Sequence, residues 1–155
     1  INAVEEVNDD QKLVIAKKII HRFGENLEGK TFGLWGLAFK PGTDDMREAP
    51  AIYVVKELVK RGAKVQAYDP KAIEEAKHFY LKDVENITYV DSKYKVLEGA
   101  DALILLTEWK EFRSPDFIEI KSQLKSPIIF DGRNQYNVFK LEEKGFEYHQ
   151  IGKLR

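Results

Sequence analysis

Six short apolar segments alternate with longer amphipathic segments between residue 31 and residue 151. This alternation is typical of α/β domains, in which a helix crosses back over the sheet between one parallel strand and the next. The segment at 102–107 is apolar at nearly every position, which indicates a central strand buried on both faces. We therefore predict a doubly wound α/β fold with a mostly parallel six-stranded sheet. The predicted strands are residues 31–35, 64–69, 87–90, 102–107, 127–131 and 146–151.

The segments between these strands have helical signals of unequal strength. Residues 49–62 carry an apolar stripe with a proline in the first turn and a glycine as the stop, which predicts a helix. Residues 69–82 begin with Asp69 as a predicted helix cap and with Pro70 at the first helical position. Weaker helices are expected after three residues, namely Ser92, Pro115 and Asn137.

Residues 3–24 form a separate predicted helix ahead of the first strand. Its apolar stripe is interrupted at residues 8–12, and a doubly wound sheet does not need this helix to close. Two interpretations are open at this point. The helix either lies on this domain, or it is a connector whose apolar face belongs to another domain or to a second subunit.

Composition excludes several classes of function. The chain has 155 residues, a formal net charge of −1 and no cysteine. The near-neutral charge gives no electrostatic basis for nucleic-acid binding, and the lack of cysteine excludes disulfides, thiolate metal sites and a cysteine nucleophile within these residues. The longest apolar run, residues 102–106, is too short to span a membrane. Because the chain has no cysteine, the expected location is the cytoplasm. Because the chain begins with Ile1 rather than with Met, we expect an excised domain or a processed product.

Candidate site residues directly follow the predicted strands, because ligands of open parallel sheets bind outside the carboxyl ends of the strands. Lys40 and Arg47 follow the first strand, and Arg133 follows the fifth. Cations that converge on such a crevice indicate a polyanionic ligand such as a di- or triphosphate. Since 33% of the chain is charged, ordinary solvated loop cations remain the alternative.

The usual dinucleotide-binding loop is missing after the first strand. Gly33 and Gly36 do not form the GxGxxG pattern, because Trp35 and Phe39 occupy positions where a phosphate must approach the backbone closely. Asp69 ends the second strand, where such a domain places a ribose-binding acid. Without the glycine-rich turn, a helix-capping role is favoured for Asp69.

Other polar and aromatic residues are interpreted as structural. Asp44 and Asp45 are expected to order the long loop by bonding its backbone and neighbouring cations, rather than to bind a metal. Trp109, at the end of the buried strand, fits either stacking on a base or packing at the rim. No metal site is assigned, because no ligand spacing connects the three histidines His21, His78 and His149.

A combination of longer motifs is far more specific than any of these single residues. The motifs are residues 36–50 (GLAFKPGTDDMREAP), 62–70 (GAKVQAYDP), 100–112 (ADALILLTEWKEF) and 129–134 (IFDGRN), with further matches at 7–12 and 145–152. In this order and spacing they resemble the C-terminal, UDP-binding domain of UDP-glucose 6-dehydrogenases and related nucleotide-sugar dehydrogenases. The resemblance covers the chain nearly from end to end.

The resemblance implies a two-part organisation of the chain. Residues 29–155 would form a Rossmann-like domain that binds the UDP-sugar, and residues 1–28 would be the C-terminal part of a long central helix that joins the domains and helps to form a homodimer. In this family the full enzyme oxidises UDP-glucose to UDP-glucuronate with two NAD, which bind mainly to an N-terminal domain missing from this chain. The family's cysteine nucleophile, catalytic lysine and glycine-rich loop lie upstream, so we assign no catalytic residue here and expect no dehydrogenase activity from the chain alone.

The resemblance also implies roles for individual residues. By similarity, Phe39 and Lys40 contact the UDP-sugar, and Arg133 also holds it. Arg47 is implied to reach across to the NAD pyrophosphate. These roles agree with the polyanion site that the strand-end cations indicate.

Three alternatives stay open. The chain could be the same domain of a dehydrogenase for UDP-N-acetylmannosamine, UDP-N-acetylglucosamine or GDP-mannose. A flavodoxin-like interaction or receiver module could use Asp44 and Asp45 as an acidic pocket, but such a module needs a lysine at the end of a late strand, where this chain has Asp131 and Arg133. A complete small NAD(P)-binding protein is the third, and the missing glycine pattern argues against it.

Overall fold

The computed structural model describes residues 12–152. Within that range the sheet has six strands, all parallel, in the order β3-β2-β1-β4-β5-β6. The predicted α/β fold and its strands are confirmed, with strand ends that differ from the predicted ones by at most two residues. The strands are β1 Thr31–Trp35, β2 Lys64–Tyr68, β3 Ile87–Tyr89, β4 Ala102–Leu105, β5 Ile128–Asp131 and β6 Glu147–Gln150.

The helices of the first crossovers differ in how well they match the sequence. The helix predicted at 49–62 is present and begins with its proline, as the sequence indicates. The segment at 69–82 forms only a short α-helix, which continues into a π-helical turn at Ala76–Tyr80. The α-helices of the described region are α1 Val14–Phe23, α2 Pro50–Lys60, α3 Ile73–Glu75 and α4 Phe117–Gln123.

The three weaker helices are not all α-helical. Only the segment after Pro115 is an α-helix, because Asp116 caps it by accepting hydrogen bonds from the first backbone N–H groups of α4. The segments after Ser92 and Asn137 are 3-10 turns, and neither has a side-chain cap. No helix described between residues 12 and 152 is both long and apolar enough to cross a lipid bilayer.

Two apolar layers cover the sheet, one on each face. Along β4, Ala102 and Ile104 belong to one layer, whereas Leu103 and Leu105 belong to the other. The first layer is completed by α1 and α2, and the second by α4 and the 3-10 turn at Lys93–Leu97. Burial on both faces explains why β4 reads as a continuous apolar run.

The strand order distinguishes between the alternative folds. A flavodoxin-like sheet has the order 2-1-3-4-5, whereas this sheet has the 3-2-1-4-5-6 order of a Rossmann domain. The receiver-module alternative is therefore wrong for this chain. In the observed order the direction of winding reverses between β1 and β4, so the carboxyl ends of these strands open the crevice in which such sheets bind ligands.

The helix α1 lies on this domain. Its residues Ile15 and Ile19 are buried in the same apolar layer as α2 and β5, and Arg22 forms an ion pair with Glu147 of β6 at 2.7 Å. For this helix the structure supports the first of the two interpretations, since its apolar face is covered by the domain itself. Residues 3–11 of the predicted helix lie outside the described residues, and the predicted domain boundary stays a prediction.

Candidate functional site

The carboxyl ends of β1 and β4 meet at a very close contact. Gly36 directly follows β1, has a φ of +102°, and lies so near Thr107 that an added Cβ would be 2.4 Å from the Thr107 backbone nitrogen. The Thr107 hydroxyl donates a hydrogen bond of 2.7 Å to the carbonyl oxygen of Ala38. Glycine is required at residue 36 because the loop after β1 lies directly against the end of β4.

Asp69, which follows β2, is the centre of a buried hydrogen-bond network. Its Oδ2 accepts from the backbone N–H groups of residues 37 and 38, at 2.8 and 3.0 Å, and from the indole Nε1 of Trp109 at 3.0 Å. Its Oδ1 accepts from the N–H groups of residues 71 and 72, both at 2.8 Å. Asp69 is only 2% exposed, so one buried carboxylate joins the loops that follow β1, β2 and β4.

This arrangement corrects the helix-capping role predicted for Asp69. The N-cap residue of α3 is Ala72, and Asp69 bonds the turn in front of that helix. An aspartate followed by a proline is a local sequence pattern that indicates this turn. It does not indicate the hydrogen bonds of Asp69 to the loops after β1 and β4. For Trp109, the sequence is compatible with either base stacking or packing at the rim. In the structure Trp109 donates to Asp69 and is partly buried against both apolar layers, which supports the packing role.

The loop after β1, residues 36–49, is ordered by Asp45. The carboxylate accepts from the backbone N–H of Arg47 at 2.9 Å and from its guanidinium Nη2 at 3.0 Å. The backbone carbonyl of Asp45 accepts from the N–H of Phe39 at 2.8 Å. The side-chain hydrogen bond from Arg47 is the main reason that the pKa of the Asp45 carboxyl is lowered. The loop-ordering role predicted for Asp45 is confirmed.

Arg133, which follows β5, is held by Glu108 from the loop after β4. Its Nε and Nη2 both donate to Oε2 of Glu108, at 2.9 and 2.8 Å. Glu108 uses only part of the guanidinium, which has five N–H donors in one plane. The Arg133 side chain is 43% exposed and that of Glu108 is 19% exposed, so the pair lies at the rim of the crevice.

A second buried carboxylate fixes the turn that carries Arg133. Asp131 is fully buried and accepts from the backbone N–H groups of Arg133 and Tyr136, at 2.9 and 2.8 Å, and from the Tyr148 hydroxyl at 2.8 Å. Burial, together with the bond to Asp131, raises the pKa of the Tyr148 hydroxyl. The backbone of this turn is thus bonded to the interior of the sheet.

The site residues assigned from the sequence lie at two places along the crevice. Phe39, 49% exposed, and Lys40, also exposed, lie in the loop after β1, whereas Arg133 lies after β5. Neighbouring strands are about 4.8 Å apart, so the ends of β1 and β5 are about 10 Å apart across β4. Arg47 lies near the far end of the loop and pairs with Asp45. Their roles in ligand binding stay predictions.

Three residues that build this edge were not assigned a role from the sequence. Thr107, Glu108 and Asp131 each hold a neighbouring loop or side chain in place. Each stands at the end of a buried apolar run. A polar residue at that position is the signal that could have identified them.

The rest of the described surface has an apolar groove but no metal cluster among residues 12–152. An apolar groove of about 710 Å³ lies between α4 and the loop before β6, where its lining includes Phe117, Ile118 and Phe146 but no predicted site residue. Within residues 12–152, no three histidine, aspartate or glutamate side chains gather into a group that could hold a metal ion.

Comparison with known proteins identifies relatives of this chain. The model of the UDP-glucose/GDP-mannose dehydrogenase family, UDP binding domain, matches residues 33–138. The UDP-glucose 6-dehydrogenase of Pseudomonas aeruginosa is 43% identical over 157 residues, which cover 100% of this chain and 35% of that protein. The UDP-glucose 6-dehydrogenase TuaD of Bacillus subtilis is 40% identical over 99% of this chain and 32% of its own length. The chain spans about a third of the length of these relatives.

Solved structures show the same pattern of likeness. A UDP-glucose dehydrogenase from Pyrobaculum islandicum superposes with a TM-score of 0.75 and 29% identity, covering 96% of this chain and 31% of that chain. A UDP-D-ManNAc dehydrogenase from Pyrococcus horikoshii has a TM-score of 0.67 and 29% identity, covering 93% and 30%. A shikimate dehydrogenase from Aquifex aeolicus, with a TM-score of 0.61 and 18% identity, shares the fold alone.

Proposed function

The chain belongs to the UDP-glucose/GDP-mannose dehydrogenase family, whose UDP-binding domain it contains, and on that premise we propose that it binds the UDP part of UDP-glucose in a UDP-glucose 6-dehydrogenase. The observation that carries this proposal is the match of residues 33–138 to that domain, together with the cations that follow β1 and β5. The whole enzyme would oxidise UDP-glucose to UDP-glucuronate. As a dehydrogenase it would use a nicotinamide cofactor, and we propose two NAD for each UDP-glucose.

The chemistry of the strand ends supports a diphosphate ligand. The guanidinium of Arg133 has donors beyond those that Glu108 uses, and a planar guanidinium suits bidentate contact with phosphate oxygens. Lys40 adds an exposed point charge from the other side of β4. The exposed ring of Phe39 supplies apolar surface beside that charge for the nucleotide-sugar.

The catalytic groups and most of the NAD site would lie in a part of the enzyme outside this chain. The relatives are about three times as long as the chain, which leaves room for a separate NAD-binding domain. The side chain of Arg47 is 79% exposed, so it is accessible to the pyrophosphate of an NAD held by that domain. The whole enzyme would be a homodimer formed through its central helix, of which residues 1–28 would be the C-terminal part.

Chemical-shift mapping with UDP tests the binding proposal on this chain. We expect saturable shifts at Phe39, Lys40 and Arg133, and no coherent shifts around His21 and His78. Uridine without phosphates is the matched ligand control, and it should bind much more weakly because the cations would have no anion to hold. Shifts centred on the groove at α4, or no saturable shift at all, would contradict the proposal.

Competition between UDP and GDP separates the branches of the family. We expect UDP to displace a bound nucleotide-sugar more effectively than GDP does. The reverse order would assign the chain to a GDP-mannose dehydrogenase. UDP-N-acetylmannosamine and UDP-N-acetylglucosamine, tested beside UDP-glucose, extend the comparison from the base to the sugar.

Activity measurements test the expected dependence on the rest of the enzyme. The chain with NAD and UDP-glucose should produce no NADH absorbance, and NAD without a UDP-sugar should bind too weakly to measure. Turnover by the purified chain would contradict this expectation. Tight NAD binding would favour a complete NAD(P)-binding protein.

A further inference from the structure

The network around Asp69 occupies the place where Rossmann domains bind their ligand. In a dinucleotide-binding domain, backbone N–H groups after β1 bind the pyrophosphate, and an acid after β2 binds the ribose. Here the N–H groups of residues 37 and 38 donate to the acid itself, at 2.8 and 3.0 Å. The loop thus bonds an anion that belongs to the chain.

The partners of Asp69 are the kind that an anion site provides. Within the described residues its hydrogen-bond partners are uncharged N–H groups, four from the backbone and one from the Trp109 indole. The helix that follows this loop, α2, begins only at Pro50, whereas one of the four backbone donors to Asp69 is the N–H of Ala72, the N-cap residue of α3. Hydrogen bonds to a charged acceptor are stronger than those between neutral groups, so this carboxylate holds its neighbours firmly.

The bonds of Asp69 reach the two residues that directly precede Phe39. Ala38 is fixed on both sides, since its N–H donates to Asp69 and its carbonyl accepts from the Thr107 hydroxyl at 2.7 Å. The direction in which the chain leaves Ala38 decides where Phe39 and Lys40 lie. Asp69 therefore acts on Phe39 and Lys40 through the backbone of residues 37 and 38.

We propose that Asp69 is a positioning residue of the UDP site. Its carboxylate fills the anion position of the loop after β1 from within the chain, and so holds Phe39 and Lys40 in place for a nucleoside diphosphate. This inference rests on the proposed UDP site. It also gives a physical reason for side-chain recognition: because the loop N–H groups are already bonded, the diphosphate must be held by cations such as Lys40 and Arg133.

Rescue of a glycine variant by formate tests this role. Asp69→Gly removes the carboxylate and leaves a space that formate, the smallest carboxylate, can occupy against the same donors. We expect UDP to bind at least about tenfold more weakly to Asp69→Gly than to the wild type. Formate should restore much of that affinity, whereas the same concentration of chloride should not.

Two further variants make the result specific. Asp69→Asn keeps the shape of the side chain but turns an NH2 group toward N–H donors, so we expect weaker UDP binding that formate does not restore. Asp101→Gly is the matched control. Asp101 also accepts a backbone hydrogen bond, from the N–H of Thr31 at 2.8 Å, but it lies at the amino ends of the strands, away from the proposed UDP site. Asp101→Gly should lower the thermal stability and leave the UDP affinity unchanged.

The possible outcomes separate the two proposals. A wild-type chain that does not bind UDP contradicts the proposed function and, with it, this inference. If the wild-type chain binds UDP and a folded Asp69→Gly variant binds it equally well, the Asp69 inference alone is overturned. The same holds if formate does not restore UDP binding to the folded variant. If circular dichroism shows that Asp69→Gly is unfolded, the UDP affinity of Asp69→Asn tests the inference instead. An affinity within about twofold of the wild type overturns the inference, and a larger loss supports it.

Discussion

The loop after β1 and the turn after β5 both carry candidate UDP-binding cations, but they hold them differently. In the loop after β1, Arg47 pairs with Asp45 of the same loop, and Lys40 is exposed. In the turn after β5, Arg133 bonds to Glu108 from a different strand end, and its backbone is bonded to buried Asp131.

The difference shows two ways in which a sheet edge can present positive charge. A side chain that is already held across strands loses less conformational freedom when a ligand binds, so more of its interaction energy contributes to affinity. A lysine on a loop adds charge and can adapt its position. We infer that Arg133 orients the diphosphate and that Lys40 adds attraction. Four sets of variants test how the two regions are built and what each contributes.

The largest effect is expected where the loop after β1 touches β4. Gly36→Ala would place a Cβ 2.4 Å from the backbone nitrogen of Thr107 at a φ of +102°. We expect the free energy of unfolding to fall by about 3–5 kcal/mol, because steric overlap adds to backbone strain. Urea unfolding followed by circular dichroism measures the change.

Gly42→Ala is the matched control for this contact. Gly42 has a φ of +87°, but nothing lies within 4 Å of an added Cβ. We expect a loss of about 1–2 kcal/mol from backbone strain alone. Equal losses in the two variants would show that the contact with Thr107 does not hold the loop.

The next effect concerns the anchor of the turn after β5. Asp131→Ala would leave the N–H groups of Arg133 and Tyr136 and the Tyr148 hydroxyl without their buried acceptor. We expect the free energy of unfolding to fall by about 2–4 kcal/mol, whereas Tyr148→Phe, which removes one of the three bonds, should cost about 1 kcal/mol. If the two variants lose the same amount, the carboxylate does not anchor the turn as a unit.

UDP affinity compares the two cations directly. We expect Arg133→Ala to weaken UDP binding about 10–100-fold and Lys40→Ala about 3–10-fold, since a pre-positioned guanidinium makes stronger bonds to phosphate than a mobile ammonium does. Isothermal titration calorimetry measures both variants. Lys60→Ala, an exposed lysine at the end of α2 and the opposite edge of the sheet, should leave the affinity unchanged. A larger loss for Lys40→Ala than for Arg133→Ala would reverse the comparison.

The smallest effect is expected at Arg47. Its guanidinium lowers the pKa of the Asp45 carboxyl, so Arg47→Ala should raise that pKa toward the ordinary value, as measured by NMR titration. The lowered pKa in the folded state contributes stability above the ordinary pKa, and this contribution is lost as the pH falls through the lowered one. The free energy of unfolding of Arg47→Ala should therefore fall less on acidification than that of the wild type. The UDP affinity of the variant should change by less than about twofold, because Arg47 is proposed to contact the NAD pyrophosphate and not UDP, and its ion pair with Asp45 is exposed. A larger change would place Arg47 in the UDP site.

The strands and layers could be predicted because their signals are local. β4 lies between two apolar layers, so every residue of its sequence is apolar, and this pattern needs no knowledge of the neighbours. The same holds for α2, where the apolar stripe, the first proline and the closing glycine all lie within one segment. The helix predicted at 69–82 begins later in the structure, at Ile73. Its predicted cap, Asp69, bonds residues of other loops, and a local sequence signal does not contain those bonds.

The sequence by itself determined the α/β class, the positions of the strands and the placement of Lys40 and Arg133 just after strand ends, since apolar periodicity and loop position are properties of short segments. Only the tertiary structure decided that Glu108 holds Arg133 and that Asp69 bonds three loops. Those bonds join residues far apart in the chain. A hydrogen bond forms only when donor and acceptor lie within a few tenths of an ångström of about 2.9 Å, and that spacing is set by the packing of the whole sheet edge.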